Sequence, residues 1–468
     1  MSMIHEAYAE AVRYIGETPK FTEKHTPEET RNFLDALGAP DEGMRIVHVA
    51  GTNGKGSVCS YLKSMLEASG YTVGMFISPH LVDPRERISF GEHLIEEEEF
   101  VRHCRTVLSR IGEPVRRENY PHLFCGGEPS PELNAGERGF AHPKYFEFYF
   151  YIAMLYFAEK KPDFVILETG MGGRLDATNT VRHKEVTVVT RIGLDHMAYL
   201  GDTVEKIAFE KACIARRGVP LVTLGEPEEA FRVLKAHAVE EGAPFCPVFS
   251  GDSPGEGALF SGRSIGREGI DFSFSGRYHC NDFHIRTTLS TAAVYQRENC
   301  ALACMAALCL ADRGYRITAE TVKQGAESAF WAGRMEEIRP GFYIDGGHNL
   351  DGINAFLESV RAIPAPARRL LIFSVVSDKQ YAGMAGLIRN SGLFDTIVCA
   401  PLSTGRTLSA EGLKEIFSDG VTVADSVRDA IRMVTEKRGE KDLVFAAGSL
   451  YLVGQIMEEL SAAPGPDR

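Results

Sequence analysis

Arg45-Ile46-Val47-His48-Val49-Ala50-Gly51-Thr52-Asn53-Gly54-Lys55-Gly56-Ser57 decides the fold of this chain. An apolar run of strand type leads into a glycine-rich turn, and a helix starts at its end. That order holds a phosphate chain. Glycines let the backbone wrap closely around phosphate oxygens. The helix start offers unpaired N–H groups and a positive dipole end. Lys55 brings a charge for the β- and γ-phosphates, and Ser57 a hydroxyl for a phosphate or a metal. Gly56 stands between the lysine and the serine, a departure from the common GxxxxGK[ST] spacing. The helix that follows is amphipathic, with Val58, Leu62, Met65 and Leu66 on one face and Gly70 as its stop. The alternative is an ordinary strand-to-helix turn that contains Gly and Lys.

The totals set the frame. At 468 residues the chain is long enough for two or three domains. With 44% hydrophobic and 25% charged residues its composition is that of a globular protein. A net charge of −13 argues against nonspecific binding to nucleic acid or anionic membranes, while leaving room for a local basic pocket. No apolar run is long enough to span a membrane. Met1 to Tyr14 carries acids and lacks the apolar stretch of a signal peptide. The ten cysteines are scattered, without CxxC or zinc spacing, so we expect a reduced, cytoplasmic protein.

Taken in order, the chain starts with a helix over about Ile4 to Tyr14 and a second that opens at Thr26-Pro27-Glu28-Glu29 and ends at Gly38. The phosphate-loop strand and helix follow, then a strand over Tyr71 to Ile77 and a helix over 96–110. Residues 111–143 hold five glycines and five prolines and read as a long loop or small insertion. Tyr145 to Ala158 is a helix that is apolar almost all round and therefore buried. Strands at Phe164–Leu167, Val186–Thr190 and Pro220–Leu224 alternate with helices, which implies a parallel, doubly wound sheet. Asp202-x-x-Glu205 reads as the capping box of a helix over 203–216. Residues 251–270 hold six glycines and suggest a small antiparallel section or a surface loop. Beyond Gln296, an Ala/Leu/Cys helix leads into strands at Phe342–Asp345, Leu370–Val375, Thr396–Ala400 and Leu443–Ala446. The expectation is a phosphate-loop ATPase domain over 1–296 and a smaller Rossmann-like α/β domain over 297–468.

In open parallel sheets, ligands sit beyond the C-terminal strand ends. Ser78, Glu168 and Asp195-His196 follow three strands expected to neighbour the phosphate-loop strand. Glu168 suits magnesium, which prefers oxygen ligands. It would equally serve as a loop-fixing carboxylate. His196 is an unusual magnesium ligand and more often a hydrogen-bonded loop residue. Lys211 shares a stripe with Val204, Ile207, Ala208 and Ala215, on the core face of its helix. Burial favours the neutral amine, which can take up CO₂ as a carbamate and become an oxygen ligand. The alternative is a lysine that snorkels or pairs with a carboxylate. Arg334 and Asp345 could close over a nucleotide from the second domain, or form an interdomain ion pair.

His48-Val-Ala-Gly-Thr-Asn-Gly-Lys-Gly-Ser57, Ser78-Pro-His-Leu81, Leu167-Glu-Thr-Gly-Met-Gly-Gly-Arg-Leu-Asp-Ala-Thr-Asn179, Leu194-Asp-His196, Glu210-Lys-Ala-Cys-Ile214 and Ile344-Asp-Gly-Gly-His-Asn349 occur in this order. Together they resemble the folylpolyglutamate synthase and dihydrofolate synthase family of the Mur ligase superfamily, over about residue 10 to Gly454. The resemblance implies an ATP-dependent ligase that adds L-glutamate to a dihydropteroate or folate carboxylate through an acyl phosphate, releasing ADP and phosphate. A Mur-type peptidoglycan-precursor ligase is the alternative, weakened by the lack of its precursor domain before residue 45.

The resemblance also implies site residues. Thr52, Asn53, Gly54, Lys55, Gly56 and Ser57 would cradle ATP, joined by Asn299, Arg334 and Asp345. Ser78 and Glu168 would hold the nucleotide magnesium. Glu168, His196 and carbamylated Lys211 would hold a second metal. Lys55, Glu168, His196, Lys211 and His348 make up the catalytic set. Lys144, Tyr145, Phe146 and Glu147, with Leu175, Asp176 and Ala177, match positions that touch the pterin substrate. Lys144 and Thr169 depart from the usual family residues at their positions, which bears on pterin-side detail. Small-molecule substrates, no nucleic-acid or membrane partner, and a monomer are expected.

Overall fold

Ile46–Ala50 (β1) is buried at every position, as a strand covered on both faces must be. It pairs in parallel with Phe164–Glu168 (β5) on one side and Val186–Val189 (β6) on the other. The structure, a computed structural model, describes residues 2–18, 25–112, 117–124, 139–251, 257–364, 367–377, 379–405, 407–417 and 420–462. Much of the 111–143 loop read from the sequence lies outside the described residues.

The remaining strands of the first sheet are Val73–Phe76 (β2), Ile88–Phe90 (β3), His93–Leu94 (β4), Leu221–Leu224 (β7), Phe245–Ser250 (β8), Ala258–Ser264 (β9), Ile270–Tyr278 (β10) and Asn281–Leu289 (β11). The eleven strands run in the order β11-β10-β9-β8-β7-β6-β1-β5-β2-β3-β4. The stretch from β2 to β9 is parallel, and both edges turn antiparallel. One face is covered by the phosphate-loop helix Lys55–Ala68 with helices Gln296–Asp312 and Ala319–Ser328. The other is covered by the aromatic helix Tyr145–Lys160 and by helices Met3–Glu17, Pro27–Ala36 and Glu97–Leu108. Cys300 and Cys304 are wholly buried in the first of these layers.

A second sheet is formed by Arg334–Arg339 (β12), Phe342–Asp345 (β13), Arg369–Phe373 (β14), Thr396–Cys399 (β15), Thr422–Val423 (β16) and Leu443–Ala447 (β17). Its order is β12-β13-β17-β14-β15-β16, parallel except at the β12–β13 edge, with an apolar layer on each face.

Three expectations change. The boundary moves from 296/297 to about 329–333, because helices Gln296–Asp312 and Ala319–Ser328 bury their apolar faces against the phosphate-loop helix and the first sheet. The strand before Ser78 is not a neighbour of β1, since β5 lies between them. The helix expected over 203–216 spans Val204–Ala212, and its cap is Thr203, whose hydroxyl accepts from Lys206 N. Asp202 pairs instead with the Lys206 ammonium at 2.8 Å. The glycine-rich 251–270 stretch contributes β9 and the start of β10, an antiparallel pair, in line with the first of its two readings. Among the described residues, no helix is long and apolar enough to cross a membrane.

Candidate active site

The phosphate loop is held from three sides. Thr52 N and Asn53 N both donate to Arg191 O, and the Thr52 hydroxyl donates to Gly193 O at 3.1 Å. Gly54 stands at φ +91° just before the helix, a conformation that needs glycine. A side chain there would also strike Asn299 Oδ1. Gly56 is explained by Trp331, since a Cβ at residue 56 would lie 2.6 Å from the indole Cζ2. Ser57 is buried and accepts from Gln296 Nε2 at 3.2 Å, and Gln296 Oε1 in turn accepts from Asn299 Nδ2 at 2.8 Å.

Glu168, at the tip of β5, is only 3% exposed. Its Oε2 accepts from Ser78 N at 3.0 Å, and its Oε1 lies 3.8 Å from Lys55 Nζ. Burial pushes the Glu168 carboxyl above its usual range, against the pull of Lys55 and the Ser78 amide. A buried carboxylate facing one lysine across the phosphate loop is a suitable seat for a divalent cation. Lys211 is buried on the core face of its helix, as the spacing indicates, and its Nζ donates to Gly51 O at 2.7 Å. His196 begins a short helix beyond β6. Burial lowers its imidazole to about 4, with Lys379, Lys55 and Lys211 adding to the fall and Asp195 opposing it. Among the described residues, no group of three or more His, Cys, Asp or Glu side chains is placed to hold a metal.

The second domain reaches the loop through the turn after β13. Asn53 and Asn349 exchange side-chain hydrogen bonds at 3.2 and 3.0 Å. Lys379 Nζ donates to Asp195 Oδ1 at 2.6 Å, and His348 Nε2 lies 3.8 Å from Asp195 Oδ2. His348 thus faces the first domain. The Asp345 carboxylate accepts from Tyr295 OH of the first domain and from Met335 N and Gly347 N of its own, at 2.6 to 3.0 Å. Beside Ser57, between the domains, lies a cavity of about 320 Å³ lined by Gln296, Phe330, Trp331, Arg334 and Tyr343 among others.

A model of the Mur ligase glutamate ligase domain matches residues 333–450. The dihydrofolate synthase/folylpolyglutamate synthase of Bacillus subtilis is 34% identical over 466 residues, covering 97% of this chain and 99% of the relative. This chain belongs to the folylpolyglutamate synthase/dihydrofolate synthase family. Escherichia coli FolC in complex with DHPP and ADP superposes with a TM-score of 0.79 at 29% identity, covering 97% of this chain and 98% of that one. The Thermotoga maritima folylpolyglutamate synthase has a TM-score of 0.78 at 27% identity, covering 98% and 97%.

Seen as a folylpolyglutamate synthase relative, the site divides the expected residues into two groups. Arg334 lines the interdomain cavity, and Asn299 packs on Gly54 of the phosphate loop. Asp345 is buried, accepts from Met335 N and Gly347 N of its own domain and from Tyr295 OH of the first, and so fixes the turn that carries His348 and Asn349. On the pterin side, Phe146 packs against Gly170, and Tyr145 lies under the Arg87 guanidinium at 5.5 Å. Glu147 is buried, bonded to His25 and to Lys144 N at 2.8 Å each. Asp176 is buried too, accepting from Met171 N and from both Thr178 donors. Ala177 is buried, and Leu175 is the exposed member of its trio. Glu147 and Asp176 are thus tied up in hydrogen bonds within the protein. Sequence reasoning did not find Gln296, Trp331 or Lys379. A glutamine opening an otherwise apolar helix was the one signal available; the others carry none.

Proposed function

We propose that this chain is an ATP-dependent amide-forming ligase that joins L-glutamate to the carboxylate of dihydropteroate, a reduced folate or both. The observation that carries this is the placement of buried Glu168 opposite Lys55 at a phosphate loop that a second, glutamate-ligase-type domain meets directly. Escherichia coli FolC, in complex with DHPP and ADP, supports this reading.

The loop amides and Lys55 bind the phosphates and stabilise charge on the transferring group. The substrate carboxylate oxygen bonds to the γ-phosphorus as the bond to ADP breaks. The glutamate amine then attacks the acyl carbon, the carbon–oxygen bond to phosphate breaks, and phosphate leaves with that electron pair. The second domain keeps water from taking the place of the amine. Glu168 and Ser78 would hold the nucleotide's Mg²⁺, and Glu168, His196 and a carbamate on Lys211 a second ion. A bound divalent ion supplies charge neutralisation at the phosphates. Support for the carbamate is the burial of Lys211 on the core face of its helix; its amine, gaining CO₂ and losing a proton, would become an oxygen donor. Its bond to Gly51 O is the competing structural role.

The test is ADP release and product formation with glutamate plus either dihydropteroate or tetrahydrofolate. Glutamate-dependent ADP release with at least one of them is expected. Release with neither would sink the proposal. A ¹³C carbamate resonance from ¹³CO₂-equilibrated protein, lost in Lys211→Ala, checks the lysine separately.

A further inference from the structure

We propose that Asp195 is a positioning residue that locks the second domain onto the phosphate loop during the ligation step. The inference rests on the ligase reading above. Asp195 sits beyond the tip of β6, and its side chain is 10% exposed. Oδ1 accepts from Lys379 Nζ at 2.6 Å and from His196 N at 2.8 Å. Oδ2 accepts from Asn349 Nδ2 at 3.3 Å and lies 3.8 Å from His348 Nε2. Three of these four partners belong to the second domain. One carboxylate of the first domain thus gathers them at the mouth of the phosphate loop.

The second half of the lock is an amide. Asn349 Nδ2 donates to both Asp195 Oδ2 and Asn53 Oδ1, using both of its hydrogens. Asn349 Oδ1 accepts from Asn53 Nδ2 and from Gly352 N, which caps the helix Leu350–Ala362. Phosphate loop, domain interface and a helix start of the second domain therefore share one satisfied network. Such a network has few alternative arrangements, because each lost partner leaves a buried polar group unpaired.

The chemistry gives this a consequence. An acyl phosphate reacts with an amine or with water at the same carbon. In each case the carbon–oxygen bond to phosphate breaks and phosphate carries off the electron pair. Amide forms only while the second domain stays seated and water stays out. Loss of the lock should leave ATP cleavage running and divert the acyl group to hydrolysis.

Phosphate and amide product are measured in one mixture of Mg-ATP, glutamate and the accepted pterin. The wild type should release about one phosphate per amide, the ratio the balanced reaction requires. Asp195→Asn and Lys379→Met should raise the excess of phosphate over amide on the order of tenfold, the factor by which ~1.4 kcal/mol lost from the closed state shifts the partition toward hydrolysis. Lys379→Arg keeps the charge and should return the ratio toward one. A parallel fall in phosphate and amide, with the ratio unchanged, assigns the pair a merely structural role and overturns the proposal. A raised KM for glutamate alone in Lys379→Met, with the ratio at one, makes the lysine a substrate contact and also overturns it. Small-angle scattering with ADP reads the lock without turnover: a larger radius of gyration in both variants supports it, and an unchanged radius overturns it. A wild type that makes no amide sinks the ligase reading, and the scattering comparison then decides the lock.

Discussion

Gly56→Ala tests why the phosphate loop departs from its common spacing. The new Cβ would lie 2.6 Å from Trp331 Cζ2, 3.0 Å from Cε2 and 3.2 Å from Nε1. Comfortable carbon contacts are ~3.5–4.0 Å, so the indole must retreat by roughly 1 Å. Overpacking of this kind costs about 1–3 kcal/mol. Gly56 is the second residue of a helix, and its φ is not in the left-handed region, so the backbone itself accepts alanine. Helix propensity then favours alanine by up to about 1 kcal/mol. The net expectation in the wild-type background is a loss of about 0–2 kcal/mol. In a Trp331→Ala background the ring is gone and only the helix term remains, so the same substitution should stabilise by about 0.5–1 kcal/mol. The coupling between the two sites is therefore about 1–3 kcal/mol, measurable as a double-mutant cycle in urea unfolding followed by far-UV circular dichroism. Equal shifts in both backgrounds, within about 0.5 kcal/mol, would refute the explanation of Gly56.

Lys211→Ala should lose ligase activity by about two orders of magnitude or more, the range for removing a group that supports transition-state charge, while calorimetry still detects ADP binding; full activity would remove the lysine from the site. Trp331 is the chain's one tryptophan and lines the interdomain cavity, so ADP should change its emission in a saturable way; a titration without change would place the base elsewhere. Burial holds the His103 imidazole down at about 4, helped by Arg102 and opposed by Glu159. Its unfolded value is ~6.5, so below that pH the unfolded chain takes up the proton first and stability falls as pH drops toward 4. At ~1.36 kcal/mol per pH unit the ceiling is about 3 kcal/mol. His103→Gln should flatten stability between about pH 6.5 and 4, and an unchanged slope in urea midpoints would exclude that histidine as the source.

What could be read from the chain was chemistry that neighbours along the sequence decide among themselves. A strand followed by Gly51 to Ser57 has few backbone solutions, and Gly54 at a left-handed φ takes one of them. Lys211 declared its burial through i, i+3, i+4 spacing, which is a property of one helix. The alternation of apolar runs and helices sufficed for a doubly wound sheet, because strands covered on both faces must be apolar throughout. Short edge strands such as β3 and β4 were invisible, since two or three residues carry no period.

The domain boundary shows the limit clearly. The helix Gln296–Asp312 precedes strands of the second sheet in sequence, and nothing in its composition says which sheet it covers. Apolar burial has no direction of its own, so the nearest complementary face decides. Polar partnerships are the same. Gln296 meets Ser57 across 239 residues, Lys379 meets Asp195 across 184, and Asn349 meets Asn53 across 296. The sequence by itself determined the phosphate loop, the strand-tip carboxylate Glu168 and the class of fold, because these rest on backbone geometry over a few residues. Tertiary structure decided that Gly56 answers to Trp331, that Asp345 and Asp176 hold loops, and that Asp195 gathers the second domain. A hydrogen bond or a close packing contact exists only where chain closure brings two distant groups within about 3–4 Å, and no local pattern encodes that distance.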